Sequence, residues 1–228
     1  MRSITLFLLG GLCFVCNGQV SQTSGVLSLY QQQVGITNDP IFIGELDPLI
    51  VRSRTTHPFF NSRGWVETDL EFDNSSYQKI PALYDLTRDI LILRYPDASK
   101  IFGIIPNMPL VKSFKINDSY FRTSSFSSDL GFYEVLIEGD NFQFLVKRSK
   151  EEKVDKAEVV FIEKNAYFLE YENKLIPLNS KKDLAVLGDI KALNAKVRAT
   201  NKTLKYSKFK EERLINYMKA LDDEMEKG

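Results

Sequence analysis

The chain between residues 19 and 180 alternates short apolar runs with turn-forming residues. In the clearest case, residues 65–72, one face of an extended chain carries Val66, Leu70 and Phe72. The other face carries the acidic side chains Glu67, Asp69 and Glu71. This alternation predicts a β-strand that is buried on one side and faces water on the other.

Similar runs recur about every 8 to 12 residues, a spacing typical of antiparallel sandwiches and barrels. Turns rich in Gly, Asn and Asp at 138–141 and 172–174 predict tight hairpins. The fold class is therefore predicted to be mainly β, an antiparallel sandwich or partly closed barrel of about nine or ten short strands with a C-terminal helical segment. Further strands are predicted at 79–86, 89–95, 100–105, 110–116, 119–123, 132–138, 141–148, 167–171 and 174–178.

Residues 147–164 break this rhythm because they are densely charged. Lys150, Glu151, Glu152 and Lys153 follow one another directly. Such a run favours a solvated surface, so this stretch is predicted to be either an excursion from the sheet or a long hairpin.

The last 48 residues show a helical pattern instead. Ser180 and Asp183 form a variant of the capping box, which predicts a helix beginning at Lys181. Gly188 is expected to kink or divide that helix. A second helix is predicted from about residue 207, with one apolar face formed by Leu214, Tyr217, Met218, Leu221 and Met225.

The N-terminal residues 1–18 have the features of a signal peptide. Arg2 supplies a positive charge, an apolar run of about a dozen residues follows, and Gly18 is a small residue at the expected cleavage site. The apolar run is shorter than the roughly 20 residues of a membrane-spanning helix. The predicted organisation is therefore a signal peptide (1–18), an antiparallel β domain (19–180) and a C-terminal helical segment (181–228) packed on the β domain. Lipidation at Cys13 or Cys16 stays open, although their neighbours fit it poorly.

The composition of the chain argues against several kinds of binding and catalysis. The chain has equal numbers of basic and acidic residues, 30 of each, which does not favour nucleic-acid binding. Both cysteines, Cys13 and Cys16, lie in the predicted signal peptide, so the mature chain would have no disulfide and no thiolate. His57 is the one histidine, and its apolar neighbours favour a packed loop residue over a catalytic base. No phosphate-binding glycine motif is present, and no cofactor or metal is predicted.

Carboxylates and tyrosines in the strands are the remaining candidates for a site. Asp85 and Glu134 lie within apolar or aromatic runs, and each is preceded by a tyrosine, Tyr84 and Tyr133. Tyrosine rings on a sheet can bind a ligand with their faces and hydroxyl groups. These four residues are therefore the predicted ligand-binding set. A pair of facing carboxylates could alternatively cleave a glycosidic bond.

Several segments together resemble a known family. They are His57-Pro58-Phe59-Phe60 ahead of Trp65, the stretch from Tyr77 to Asp85 with Ile80-Pro81-Ala82-Leu83, Asp89-Ile90-Leu91-Ile92, and Gly131-Phe132-Tyr133-Glu134-Val135-Leu136 with Val146-Lys147-Arg148. The chain is similar to uncharacterised exported bacterial envelope proteins that have a β-rich body and Lys-rich C-terminal helices. The resemblance covers about residues 40–220 and implies export and one β-rich unit. It implies no activity and no site residues.

The sequence thus predicts an exported, noncatalytic protein of a bacterial periplasm or cell envelope, acting as a binding or assembly component. Its partner would be an envelope protein or a glycan or lipid ligand, and the mature chain would have no transmembrane segment. Two alternatives stay open. One is a carboxylate-dependent glycan hydrolase, and the other is a carrier of an apolar ligand or lipid inside a curved sheet.

Overall fold

A computed structural model describes residues 39–51, 53–96, 102–127, 131–156, 158–200, 206 and 211–226. The predicted signal peptide, residues 1–18, lies outside these ranges. The strands and helices below belong to one compact unit, Pro40–Gly228.

The described residues form one antiparallel sheet of eleven strands followed by two α-helices, so the prediction of a mainly β fold is confirmed. The strands are β1 Gly44–Asp47, β2 Val66–Phe72, β3 Ser75–Asp85, β4 Ile90–Arg94, β5 Gly103–Pro106, β6 Val111–Ile116, β7 Ser119–Thr123, β8 Phe132–Glu138, β9 Gln143–Asp155, β10 Glu158–Tyr171 and β11 Lys174–Pro177. The helices are α1 Ile190–Thr200 and α2 Glu211–Glu226.

The sheet order is β1-β5-β4-β3-β2-β6-β7-β8-β9-β10-β11. Most neighbours are consecutive along the chain, because short turns join them as hairpins. β2 pairs with both β3 and β6, which connects the two hairpin series. The sheet is open, with β1 at one edge and β11 at the other.

The sheet curls around a cluster of aromatic rings. Tyr84 on β3 packs against Phe114 on β6, Phe121 on β7 and Phe132 on β8, with ring centroids 5.0 to 6.2 Å apart. A strand can touch three others that are not its neighbours only if the sheet bends towards them. The backbone also approaches across the curve, since the Lys150 N–H on β9 donates to the Leu86 carbonyl oxygen beyond β3 (3.1 Å).

β2 behaves as the alternation predicts. Leu70 and Phe72 are buried, whereas Glu67, Asp69 and Glu71 are exposed. β1, in contrast, was not predicted, because Gly-Glu-Leu-Asp has neither an apolar run nor clear alternation. Gly44 is needed there, because a Cβ atom would lie 1.9 Å from the backbone oxygen of Ile105 on the paired strand.

The charged stretch at 147–164 is a long hairpin, one of the two forms predicted for it. β9 and β10 pair without interruption from Gln143–Glu170 to Asp155–Glu158. Their outer halves have exposed or half-exposed side chains. We call residues 149–163 the arm.

The C-terminal segment starts with the predicted capping box. The Asp183 carboxylate accepts the Ser180 backbone N–H (2.7 Å), but the helix that follows, Lys181–Leu187, is 3₁₀ and not α. Gly188, at φ 104°, divides the segment, and α1 begins two residues later. The division was predicted; the 3₁₀ geometry was not.

The helices share a core with the last strands. Leu184, Val197 and Leu214 are buried with Phe144 and Leu169 of β9 and β10. Polar contacts reinforce this packing, because the Asp222 carboxylate on α2 accepts the backbone N–H groups of Asp140 and Asn141 in the β8–β9 turn (3.0 Å each). Within the described ranges, no helix combines the length and the apolar character that crossing a membrane would require.

Candidate functional site

Tyr84 lies in the aromatic core and not on a surface. Its side chain is 1% exposed, and its hydroxyl donates to the Asp89 carboxylate. Burial raises the pKa of Tyr84 well above its ordinary value, and the nearby carboxylate of Asp89 adds to this. Tyr84 therefore stays neutral and serves as a packed, hydrogen-bonded core residue.

Asp85, the next residue, points to the opposite face of β3 and organises the β3–β4 turn. Its carboxylate accepts the Thr87 backbone N–H (2.9 Å) and the Arg88 Nε (2.8 Å). Arg88 also binds the Asp47 carboxylate at the end of β1 (2.7 Å). One guanidinium thus joins two buried carboxylates from distant parts of the chain.

Tyr133 is also buried. Its ring packs edge-on against Phe168 (5.4 Å between centroids), and the Lys147 ammonium lies 5.1 Å above it. Its hydroxyl is hydrogen-bonded to the Ser127 hydroxyl (3.1 Å). The side chain has no exposed face with which to bind a ligand.

Glu134, on the other face of β8, belongs to a network around Arg148. Its carboxylate accepts the Ser119 hydroxyl (2.6 Å) and the Arg148 Nε (2.6 Å). The two terminal nitrogens of Arg148 donate to the Glu211 carboxylate (2.7 and 2.9 Å), which also accepts the Tyr167 hydroxyl (2.9 Å). This network fastens the first turn of α2 to strands β8, β9 and β10.

The charges in this network stabilise one another. Burial acts to raise the pKa of Glu211, but the hydrogen bonds and the positive charge of Arg148 outweigh it and hold that pKa below its ordinary value. Burial acts to lower the pKa of Arg148, and the two carboxylates raise it above its ordinary value. Glu211 is therefore ionised at neutral pH and does not store a proton for general-acid catalysis.

The lowered pKa of Glu211 predicts a dependence of stability on acid. The ionised group stabilises the folded chain above its ordinary pKa of 4.5, and this contribution is lost as the pH falls through the lower folded-state pKa. We expect Glu211→Gln to lower the urea midpoint at neutral pH and to reduce the further loss between about pH 5 and about pH 3. Urea unfolding of both proteins across this pH range measures the effect.

Glu212→Gln is the matched control for this prediction, because Glu212 occupies the same helical turn and is exposed. Its acid dependence should equal that of the wild-type protein. Parallel pH curves for Glu211→Gln and wild type would contradict the prediction.

A pocket with a volume of about 340 Å³ opens beside this network. We call it the Arg148 pocket, and its lining is mainly polar: Phe60, Asn61, Leu86, Ser119, Glu134, Arg148, Glu163, Asn165 and Glu211.

A second pocket, of about 410 Å³, contains the Asp85–Arg88–Asp47 contacts. We call it the edge cleft, because Asp47 is the last residue of edge strand β1. Its lining combines apolar and charged side chains: Asp47, Pro48, Leu49, Ile50, Pro58, Phe59, Asp85, Thr87, Arg88, Glu152 and Phe161.

The four predicted site residues therefore do not form one site. Asp85 lines the edge cleft and Glu134 lines the Arg148 pocket, so the two carboxylates do not face each other across one groove as a glycosidase pair would. Tyr84 and Tyr133 are core residues. No group of three or more His, Cys, Asp or Glu side chains suited to a metal ion occurs in the part of the chain that the structure describes.

Lys150 holds one wall of the edge cleft in place. Its ammonium donates to the backbone oxygens of His57 (3.1 Å) and Phe59 (2.8 Å), so β9 fixes the loop before β2. Burial lowers the pKa of His57, and the nearby Lys150 charge lowers it further. The neutral ring stacks on Phe59 (6.1 Å), which fits the packed loop residue that the sequence predicts.

Exposed apolar side chains concentrate around β1 and the tip of the arm. Ile43, Leu46 and Ile50 are 64%, 57% and 74% exposed. Val154 in the arm is 74% exposed. Three of these four residues lie within eight positions of one another along the chain, in or beside the edge strand.

Sequence reasoning missed Arg148, Glu211 and the residues of the edge cleft other than Asp85. A local signal existed for Arg88, which follows Asp85 by three residues in a turn-forming stretch. No local signal links Arg148 to Glu211, because 63 residues separate them and only the folded chain brings them together.

No protein-family model, no curated protein and no solved structure matches this chain. Function is therefore inferred from the geometry of its own residues.

Proposed function

We propose that this protein is an exported, noncatalytic component of a bacterial envelope that binds a protein partner along the open edge of β1. Export and the envelope location rest on the features of residues 1–18 and on the confinement of both cysteines to that segment.

The observation that carries the binding proposal is the open edge of the sheet at β1. β1 pairs only with β5 among the described strands, so its other side offers backbone N–H and C=O groups to an added strand. Ile43, which directly precedes β1, and Leu46 within it add exposed apolar side chains. Partners that add a strand take affinity from the backbone hydrogen bonds and specificity from such side chains.

The charges on β1 favour a different protein over a second copy. Glu45 is exposed in the middle of the strand, and Pro48 follows its end. Charged residues and prolines at an edge oppose self-pairing, because two copies would bring like charges together. An added strand from a partner without acidic residues avoids that repulsion.

The paired state of the carboxylates supports a noncatalytic role. Arg88 binds Asp85 and Asp47, and Arg148 binds Glu134 and Glu211. A carboxylate-dependent glycan hydrolase needs one carboxyl group that holds a proton and another that faces it across the substrate. The aromatic rings that fill the curve of the sheet weigh equally against a lipid carrier, because they occupy the volume that an apolar ligand would need.

Site-specific photo-crosslinking in the native host tests the proposal. We expect a photoreactive amino acid at position 46 to give one discrete adduct, whose partner mass spectrometry identifies. Tyr120, which is 40% exposed on β7, is the matched control position and should give no such adduct. Equal adducts at both positions, or none at 46, would contradict the proposal.

The identified partner then permits a binding measurement with purified proteins. Leu46→Asp should weaken that binding about tenfold, because it removes apolar contact worth about 1.4 kcal/mol and adds an edge charge. Val186→Asp, at a site of 43% exposure on the 3₁₀ helix, should leave the affinity unchanged.

A further inference from the structure

The Arg148 pocket has no part in the proposed binding along β1, and its chemistry points to a ligand of its own. We propose that it binds a single sugar residue through neighbouring hydroxyl groups. The inference is independent of the protein-partner proposal, since the pocket shares no lining residue with the edge cleft.

The volume of the pocket and the polarity of its lining suit one sugar ring. Its volume of about 340 Å³ lies at the lower end of the range for small-molecule sites. Phe60 and Leu86 also line the pocket, but they are only 9% and 4% exposed, so the groups that a ligand can reach are mainly polar. The remaining seven lining residues are polar or charged, which suits a ligand rich in hydroxyl groups.

Two amide side chains in the lining have unused hydrogen-bonding capacity. Asn61 and Asn165 make no side-chain hydrogen bond to any residue that the structure describes. Each amide offers two N–H donors and one carbonyl acceptor. Both are exposed, so they can turn towards a ligand without breaking an existing contact.

The buried network offers fixed groups as well. Each Glu134 oxygen accepts one hydrogen bond, from Ser119 or from Arg148, and a carboxylate has about four acceptor positions in all. Arg148 uses three of its five N–H donors on Glu134 and Glu211. Because these side chains hold one another in place, their spare acceptors and donors are preorganised for a ligand.

This mixture of groups favours a neutral ligand that both donates and accepts hydrogen bonds. Three carboxylates against one guanidinium disfavour an anion. The Arg148 guanidinium between Glu134 and Glu211 disfavours a metal ion. Neighbouring sugar hydroxyls meet both requirements, since each hydroxyl donates to a carboxylate and accepts from an amide or guanidinium N–H.

Saturation-transfer NMR with the purified mature chain tests the proposal. The probes are glucose, galactose, mannose and N-acetylglucosamine, with inorganic phosphate as an anionic probe in a parallel titration. We expect at least one of the sugars to bind, with a dissociation constant near the millimolar range, and phosphate not to bind.

Asn165→Ala is the diagnostic variant, because its side chain lines the pocket but has no described partner whose loss would destabilise the fold. We expect it to weaken sugar binding about fivefold, the equivalent of one hydrogen bond. Lys164→Ala changes the adjacent residue, which projects from the opposite face of β10 and should leave binding unchanged.

Failure of all four sugars to bind would overturn the proposal. Binding of phosphate in their place, or equal affinities of Asn165→Ala and wild type, would do so too. Leu46→Asp should bind the sugar with wild-type affinity, so a failure at the β1 edge and a failure at this pocket are distinguishable.

Discussion

Replacing Phe114 with alanine is expected to lower the free energy of unfolding by about 4 kcal/mol. Phe114 is 1% exposed and lies at the centre of the curved sheet. Its ring contacts Tyr84, Phe121 and Phe132, with centroid distances of 4.9 to 5.0 Å. The alanine variant loses buried apolar contact area. It also leaves a cavity, because the surrounding strands β3, β7 and β8 cannot move inward enough to fill it.

Urea unfolding at constant m-value measures this loss. Phe114→Leu, which keeps most of the volume, should cost about 1.5 kcal/mol or less. Phe126→Ala is the matched control, because that ring is 43% exposed. A loss below about 1.5 kcal/mol for Phe114→Ala would show that the aromatic cluster does not hold the curve of the sheet.

Arg148→Met is expected to lower the free energy of unfolding by about 3 kcal/mol at neutral pH. The side chains of Arg148 and Glu134 are 13% and 9% exposed, so the variant leaves a buried carboxylate without its cation. It also releases Glu211 and with it the first turn of α2. Removing one partner of a buried ion pair is costly because the remaining charge stays desolvated.

The second-site variant Glu134→Gln identifies the cause of that loss. In the Arg148→Met background it should restore about 1 kcal/mol, because it removes the unpaired buried charge. Arg94→Met is the matched control, since Arg94 is exposed at the end of β4 and forms no ion pair with a described residue. Arg148→Met and Arg94→Met with the same stability would contradict this account.

The predicted ligand-binding tyrosines show that a local sequence pattern does not reveal whether a strand side chain is buried or exposed. Tyr84 and Tyr133 have the residue type and the strand position that a binding surface requires, but both face the interior. Tyrosines on a sheet surface and tyrosines in a sheet core have the same sequence signature, because β alternation specifies two faces without saying which is buried. Tyr84 is buried because the curved sheet brings β6, β7 and β8 over its ring.

For the predicted carboxylates, local pattern does not identify the side chains that bind them. Asp85 and Glu134 were selected as carboxylates within apolar or aromatic runs, and the folded chain buries both. Their partners come from the fold, since Asp47 reaches Arg88 and Glu211 reaches Arg148 only after distant segments pack together. Each guanidinium binds two carboxylates and so links segments that are distant along the chain.

The amino-acid sequence by itself determined the succession of strands from β2 to β11, the hairpin turns and the division of the C-terminal segment at Gly188, but it left the outer halves of β9 and β10 open between an excursion and a long hairpin. These features depend on neighbours within a few residues, through side-chain alternation, turn chemistry and capping. Only the tertiary structure decided the curl of the sheet, the edge position of β1 and the two arginine-centred pockets. Each of those depends on contacts between residues far apart in the chain, whose energies arise from packing and desolvation that no local pattern records.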